Sequence, residues 1–445
     1  MANKIIFNFA EKTLGTGDEV RLTITFNTSI LGADIIFNAE ENEIYISDYG
    51  EGVWEHDIEE FLLSPGEWSP KLSDANGVLA NYFVGRNFEH LAAEKNALVL
   101  FEIKYLGETN WVTEFRGKVD PLTVVYDEDT SYLTFTAAPQ TNILFNTLLH
   151  DPGNPSTHYN PLGYGINDII HITQILEDIY QLVNPSISFS GGSLVVSQDW
   201  LFKGFTSDPP DYDPIIPIED IPFTGVRHAV KALFFDESYG YQSVGDLLKK
   251  FAADFGCYTG MEHEDKAFFK KIFSYTESDV YDLDNESYYK YEQRIIFNKI
   301  EYVVYTLRFP YTPSTFDFPA GVLTANEDKI LRRNCTTWIA MSSVIPEPGS
   351  YLVYHHNGVK DYAMTHVKDL QVGSTYQYLG FVLAQMWLNI RGQMKNCMAD
   401  EIETPGLRHS ITKNPRFKGK VYHVTRLVKH YYDGYTSIEG IPISG

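Results

Sequence analysis

The chain has 445 residues, with 35 Lys plus Arg against 59 Asp plus Glu, a net charge of −24. Duplex DNA, with one negative charge per about 1.7 Å, is repelled on average by such a chain, so sequence-specific nucleic-acid binding is disfavoured, though not contact with DNA passing through. The length suits about three domains, and 30 Tyr and 28 Phe lean the composition toward β structure and large buried or protein-contacting surfaces.

The N-terminal segments IIFNF, RLTITF, DIIFN and EIYIS read as strands separated by Gly, Asp and Asn, and Leu22, Ile24 and Phe26 show the alternation most clearly. Residues 50–68 read as a loop with a helical turn or an extended piece, and 88–96 as a short helix or connection. From Val99 the alternation is strong. Val99, Phe101, Ile103 and Tyr105 form one apolar face, with Glu102 and Lys104 between them, which predicts a half-buried strand. Trp111, Thr113 and Phe115 then alternate with Val112, Glu114 and Arg116, and Gly117 suggests a bend or bulge. Segments 119–126 and 132–136 predict a hairpin around Asp127, Glu128 and Asp129, whose side chains favour turns.

A shift to Pro, Gly, Asn and His over 151–164 marks a boundary. Ile169, Ile172, Leu176, Ile179 and Val183 recur at helical spacing until Asn184 and Pro185, and SISFS and SLVVS then predict a strand pair through Gly191 and Gly192. A second helix is clearer. Ser243 and Asp246 stand at capping-box spacing, Val244, Leu247, Leu248, Phe251, Ala252 and Phe255 form one stripe, and Gly256 ends it before a hairpin around 263–265. The two helix-hairpin units resemble a degenerate repeat. Strands return from 295 onward, and the last segment predicts a hairpin turning at Asp433 and Gly434.

The expected fold is therefore mainly β with α+β insertions. Two antiparallel β-barrel-like domains, 1–148 and 281–445, are linked by helix-hairpin modules over 149–280, with a Pro-rich arm at 207–222 and a helix near 374–394.

No sequence pattern for catalysis stands out. Gly163, Gly165 and Asp168 lack the third glycine of a nucleotide loop and follow no strand. Asp282, Asp284 and Glu286 open like a calcium loop, but Ser287 stands where glycine is needed and Gln293 where a bidentate carboxylate should be, so a solvated turn is the better reading. His355 and His356 are neighbours on a predicted strand and face opposite ways, so at most one joins His366. The acids Glu59 with Glu60, Asp211 with Asp213, and Glu262 with Glu264 and Asp265 read as solvated surface before they read as a glycosidase pair. Trp54, Trp68, Tyr82 and Phe83 read as core or subunit contacts before they read as a sugar-stacking platform. Cys257, Cys335 and Cys397 fit neither a disulfide framework nor a zinc motif, and are expected to be free thiols. The start, MANKIIFNFAEKTL, has too short an apolar run for a signal peptide, and no run reaches the roughly 20 apolar residues of a membrane span. Cytoplasmic synthesis is expected, with no catalytic residue, cofactor or metal.

Three stretches in their order resemble the hub proteins at the tip of phage tails, meaning the baseplate hub of contractile-tailed phages and the N-terminal hub of siphophage tail-associated proteins. They are FRGKVDPLTVVYDEDTSYLTFTAAPQTNILFNTLL, ahead of a domain change; YQSVGDLLKKFAADFGCYTGMEHEDKAFFKKIF, a helix then a hairpin; and the closing KNPRFKGKVYHVTRLVKHYYDGYTSIEGI. The resemblance implies a homotrimer whose two barrel-like domains per subunit make a pseudo-sixfold ring. Such a ring adapts a sixfold tail tube or distal tail ring to a threefold tip in the virion, with DNA and the tape measure protein leaving through its lumen. It also implies tail fibre or spike proteins as neighbours. Many relatives continue into a lysin, needle or fibre, whereas this sequence stops at Gly445, so neither peptidoglycan cleavage nor receptor binding is expected of it. The competing reading is a carbohydrate-binding or glycan-hydrolysing β-rich module outside the cell. A distal tail ring or fibre part shares the composition but not the order of parts.

Overall fold

The computed structural model describes residues 3–28, 33–56, 62–83, 97–147, 169–196, 226–229, 243–263, 266–283, 287–295, 302–307, 336–341, 353–357, 362–364, 370–372, 375–377 and 398–443. Its architecture is mainly β-sheet with few helices. Alternation at Val99, Phe101 and Ile103 becomes the strand Leu98–Lys104, with those three side chains buried and their neighbours half-buried. That strand lies inside a first sheet of seven strands. The order runs Ala137–Pro139, Val112–Val119, Leu98–Lys104, Glu19–Thr28, Asn3–Asn8 and Ile35–Asn38, with Lys12–Thr13 also on Glu19–Thr28. Pairing is antiparallel except between Asn3–Asn8 and Ile35–Asn38.

A four-stranded sheet of Val125–Asp127, Tyr132–Thr134, Lys71–Asp74 and Ile44–Asp48 shares the core with the first. Aromatic rings fill the space between them. Trp68 stacks on Phe101 at 5.2 Å, and Phe7 lies 5.3 Å from Tyr82. A helix the sequence pattern did not announce, Val78–Phe83, closes one end. Its first amides donate to the buried Asp74 carboxylate, from Val78 at 2.9 Å and Ala80 at 2.8 Å.

The predicted break at Gly117 falls elsewhere. Thr113 faces Glu102 and Phe115 faces Phe101, so Glu114 is the extra residue of a bulge, and it and Phe115 are both buried. Gly117 stays inside the ladder for a packing reason: a Cβ there would lie 2.3 Å from the Ala138 carbonyl oxygen and 2.6 Å from the Phe115 ring.

The closing sheet has eight strands, in the order Val280–Asp282, Asn414–Phe417, Lys420–His430, Tyr435–Pro442, Met398–Pro405 and Lys290–Ile295, plus two from the first third of the chain. The hairpin between Lys420–His430 and Tyr435–Pro442 forms as predicted, with Gly434 at φ +74° in its turn. Segment 50–68, read as a loop or an extended piece, supplies the other two. Glu51–His56 pairs antiparallel with Lys420–His430, from His430 opposite Glu51 to Arg426 opposite Glu55, and Leu63–Pro65 pairs with Glu51–His56.

Between these sheets, the helix Val244–Phe255 forms as predicted. Ser243 Oγ accepts from the Asp246 amide at 3.2 Å and donates to its carboxylate at 2.9 Å, while Val244, Leu247, Leu248, Phe251 and Ala252 are fully buried. Cys257–His263 and Lys266–Lys271 make its hairpin. The first unit differs from the expected repeat. Its helix is Ile172–Gln181, with Ile169 in the short strand Ile169–His171. Residues 186–190 form no strand, the Ser188 and Phe189 carbonyls accepting from the amides of 192–194, and Leu194–Val196 pairs in parallel with Lys266–Lys271 instead of closing its own hairpin.

Short strands make three further sheets: Thr336–Met341 and Val353–Asn357 flank Tyr302–Leu307; Ile169–His171 and Tyr362–Met364 flank Val226–Ala229; Leu370–Val372 pairs with Thr375–Gln377. Thr375–Gln377 is thus a strand where the expected helix near 374–394 begins, and 378–397 lie outside the described residues. The expected features at 88–96, 151–164 and 207–222 also lie outside them. Among the described residues no sheet closes on itself into a barrel.

Candidate functional site

The feature that sets this chain apart from two sheets on a string is the strand Glu51–His56. Leaving the first third, it completes the closing sheet beside Lys420–His430, and it fixes two groups of buried polar side chains where the sheets meet. The local sequence suits the task. Gly52 faces Lys429, and a Cβ on it would lie 2.2 Å from Tyr431 Oη and 2.9 Å from the Trp54 ring, so only glycine lets those aromatics approach.

The first group centres on Glu114, whose side chain the bulge turns inward. Lys429 Nζ donates to both of its oxygens, at 3.0 and 2.9 Å. Tyr105 Oη donates to Oε1 at 2.6 Å and Tyr431 Oη to Oε2 at 3.2 Å. Lys429 Nζ also lies 3.0 Å from Tyr105 Oη and 5.1 Å from the centre of the Trp54 ring. The Lys429 and Glu114 side chains are 3% and 0% exposed, so this ion pair is isolated from water. Burial, reinforced by the Glu114 charge, pushes both tyrosine hydroxyls far above their ordinary range, which keeps them protonated donors. Three side chains, Lys429, Tyr105 and Tyr431, thus satisfy one carboxylate with four hydrogen bonds.

The second group is a pair of histidines. His423 Nε2 lies 3.2 Å from His56 Nδ1, an arrangement in which one ring donates and the other accepts. Tyr258 packs 4.6 Å from His56 and 5.0 Å from His423, and Phe273 lies 5.1 Å from His423. His56 Nε2 is buried without a hydrogen-bond partner among the described residues. Burial, followed by the neighbouring His423, holds His56 well below the ordinary imidazole value; burial, followed by the Lys270 charge, brings His423 down to about 3. Both rings are neutral at pH 7. Since His56, His423 and Tyr258 come from the first third, the closing sheet and the middle hairpin, the three parts meet here.

A third buried polar group lies within the closing sheet. Asp400 accepts from Tyr422 Oη at 2.6 Å, Tyr291 Oη at 2.9 Å and Gln293 Nε2 at 2.9 Å, with Lys420 Nζ at 3.4 Å. Burial alone would raise its pKa, but these donors outweigh burial and hold it below the ordinary carboxylate value.

None of the residues singled out from the sequence joins these groups except Trp54. Trp68, Tyr82 and Phe83 are buried in the first core and Trp54 lies under Lys429, so all four are packed as core and none is displayed as a platform. Glu262 accepts from Ser410 Oγ and, at 2.8 Å, from Thr412 Oγ1, which ties down a loop. Glu59, Glu60, Asp211, Asp213, Glu264, Asp265, Gly163, Gly165 and Asp168 lie outside the described residues. Asp282 is exposed and 3.5 Å from Arg416, while Asp284 and Glu286 lie outside. His355 and His356 sit in the strand Val353–Asn357, and His366 lies outside. Cys257 is buried and forms no disulfide among the described residues; Cys335 and Cys397 lie outside. Among the described residues no group of three or more His, Cys, Asp and Glu could hold a metal ion, and no helix is long and apolar enough to cross a membrane. The one sequence signal for the first group was a lone charge inside an aromatic strand, Glu114 in WVTEF and Lys429 in LVKHYY.

No protein-family model and no curated protein sequence matches the chain. Solved structures similar to it include the following three. The 43 kDa tail protein of prophage MuSo2 from Shewanella oneidensis is 10% identical with a TM-score of 0.45, over 90% of this chain and 97% of that one. A tail protein from Neisseria meningitidis MC58 is 9% identical with a TM-score of 0.42, over 90% and 96%. Prophage tail protein gp18 from Listeria monocytogenes EGD-e is 11% identical with a TM-score of 0.40, over 88% and 87%.

Proposed function

We propose that the chain is a structural, non-enzymatic protein of a phage tail, a homotrimeric hub at the tail tip. In this reading it adapts a sixfold tail tube or distal tail ring to a threefold tip, and DNA and the tape measure protein leave through its lumen. Tail fibre or spike proteins are its outer neighbours. Residues 1–148 and 281–445 act as two barrel-like docking units per copy, joined through 149–280, so that three copies mimic six.

The observation that carries the proposal is the pairing of Glu51–His56 with Lys420–His430. A part that must pass load between rings is served by two sheets joined through a hydrogen-bonded ladder and a buried ion pair, since a flexible linker would let them move independently. The order of the three resembling stretches supports the same reading. The net charge of −24 suits a wall that repels passing DNA.

Light scattering on the purified chain at micromolar concentration tests the proposal. A mass of three chains, or a higher assembly with threefold symmetry in electron micrographs, is expected; a clean monomer overturns the hub. Release of reducing ends from polysaccharide would favour the hydrolytic alternative instead.

A further inference from the structure

The first sheet ends differently on its two sides. At the strand Ala137–Pro139 the edge is covered: the Trp68 amide donates to the Ala137 carbonyl at 3.0 Å, the Ala137 amide donates back at 2.8 Å, and Pro139 has no N–H to offer. At the other side the last strand is Ile35–Asn38. It pairs with Asn3–Asn8, and among the described residues no strand pairs with its outer side.

Open edges are ordinarily protected by lysine, proline or a bulge, because a row of free N–H and C=O groups recruits other strands. Ile35–Asn38, sequence IIFN, has none of these. Phe37 turns inward and stacks on Phe7 at 4.8 Å, whereas Ile35 is 36% and Ile36 65% exposed. The chain then passes through one turn, 40–42, into Ile44–Asp48, itself an edge of the four-stranded sheet, where Tyr45 is 49% exposed. Two successive strands are therefore edges, each of its own sheet, with Ile36 on the face of its strand opposite the inward Phe37 and Tyr45 on the face of its strand opposite the buried Ile44. Asp34 stands at the start of Ile35–Asn38 and Glu40 and Glu41 at its end, with Glu43 and Asp48 beside Ile44–Asp48; all are exposed, and among the described residues no lysine or arginine is ion-paired with any of these five.

We propose that Ile35–Asn38 is a docking edge for an extended segment of a different protein, apolar at alternate positions and basic at its flanks, which adds as a strand beside it. Backbone hydrogen bonds along the edge supply register and the exposed Ile36 supplies apolar contact. The carboxylates select the occupant: a basic flank is attracted, while a second copy of this chain, at −24, brings more acidic surface. The inference stands independently of the tail assignment.

The test uses two short synthetic peptides with one alternating valine and threonine core, flanked by lysines in one and glutamates in the other. Binding is followed by fluorescence polarisation, and amide exchange of the protein is mapped. The lysine-flanked peptide is expected to bind at least about tenfold more tightly, a difference of about 1.4 kcal/mol, and to slow exchange at 35–38. Ile36→Lys, at an exposed position that leaves the fold intact by its melting temperature, is expected to abolish both effects. Equal affinity for the two peptides, no protection at 35–38, or undiminished binding to Ile36→Lys would overturn the proposal. So would self-association that Ile36→Lys removes, because the occupant would then be a second copy.

Discussion

In the first sheet the strand Leu98–Lys104 buries every second residue, so one face meets the core and the other is partly wet. In the closing sheet Lys420–His430 buries nearly every residue in succession, because both of its faces are covered. A one-faced strand can be held by apolar side chains alone. A two-faced strand with His423, Thr425 and Lys429 in it must find a partner for each polar group, and it finds them on segments from elsewhere in the chain. Apolar packing tolerates small shifts, whereas a buried carboxylate held by four hydrogen bonds from three side chains accepts one arrangement. The first sheet is therefore the stable body, and the junction fixes how the second sits on it.

Breaking the junction at its charge should have the largest effect. Glu114→Ala leaves the Lys429 ammonium buried without its partner and is expected to cost about 3–5 kcal/mol in urea unfolding. Glu114→Leu with Lys429→Met should recover most of that, since removing both charges removes the desolvation cost as well. If the single and double variants are equally unstable, the pair is not what holds Lys429 in place.

The histidine pair predicts a pH dependence that the first core lacks. In the unfolded chain both imidazoles protonate below about pH 6.5, but in the native protein they stay neutral far below that, His423 down to about 3. The unfolded state thus binds more protons, and stability is complete above pH 6.5 and falls as the pH drops. The loss is about 1.4 kcal/mol per pH unit for each histidine. Burial also brings His409 down, to about 4, so three histidines share this slope, and His423→Gln should remove about a third of it between pH 6.5 and 5; an unchanged slope would remove the pair from the account. Asp400, held low, contributes only at more acid pH, since its stabilisation is lost as the pH falls through its native value.

Gly117→Ala breaks the other side of the comparison. Its Cβ collides with the Ala138 carbonyl and the Phe115 ring, so about 1–3 kcal/mol should be lost, equally at pH 5 and pH 7. Smallest is Ser243→Ala, which removes the cap of the helix Val244–Phe255 and should cost about 1 kcal/mol without altering the histidine slope.

The same contrast explains what could be read in advance. Leu98–Lys104, Val244–Phe255 and the last hairpin were legible because their periods and turns are local: three alternate apolar residues, one stripe behind a Ser243 cap, and Gly434 in its turn. Glu51–His56 was not, because its partner lies more than 360 residues away in sequence and its own burial pattern does not alternate cleanly. Glu114 was placed in simple alternation with Thr113 and Phe115, and the bulge was expected three residues on at Gly117, because a glycine is a local signal and the extra residue is not. The histidine pair was invisible for the same reason, each ring being ordinary until the other is placed beside it.

The account rests on the two sheets being one cooperative body through the strand Glu51–His56, and native-state amide exchange tests this most directly. The amides of 51–56 are predicted to exchange with the same opening free energy, and the same denaturant slope, as those of Lys420–His430 and Leu98–Lys104. Release of 51–56 in a separate, lower-energy opening, while both sheets stay protected, would contradict it.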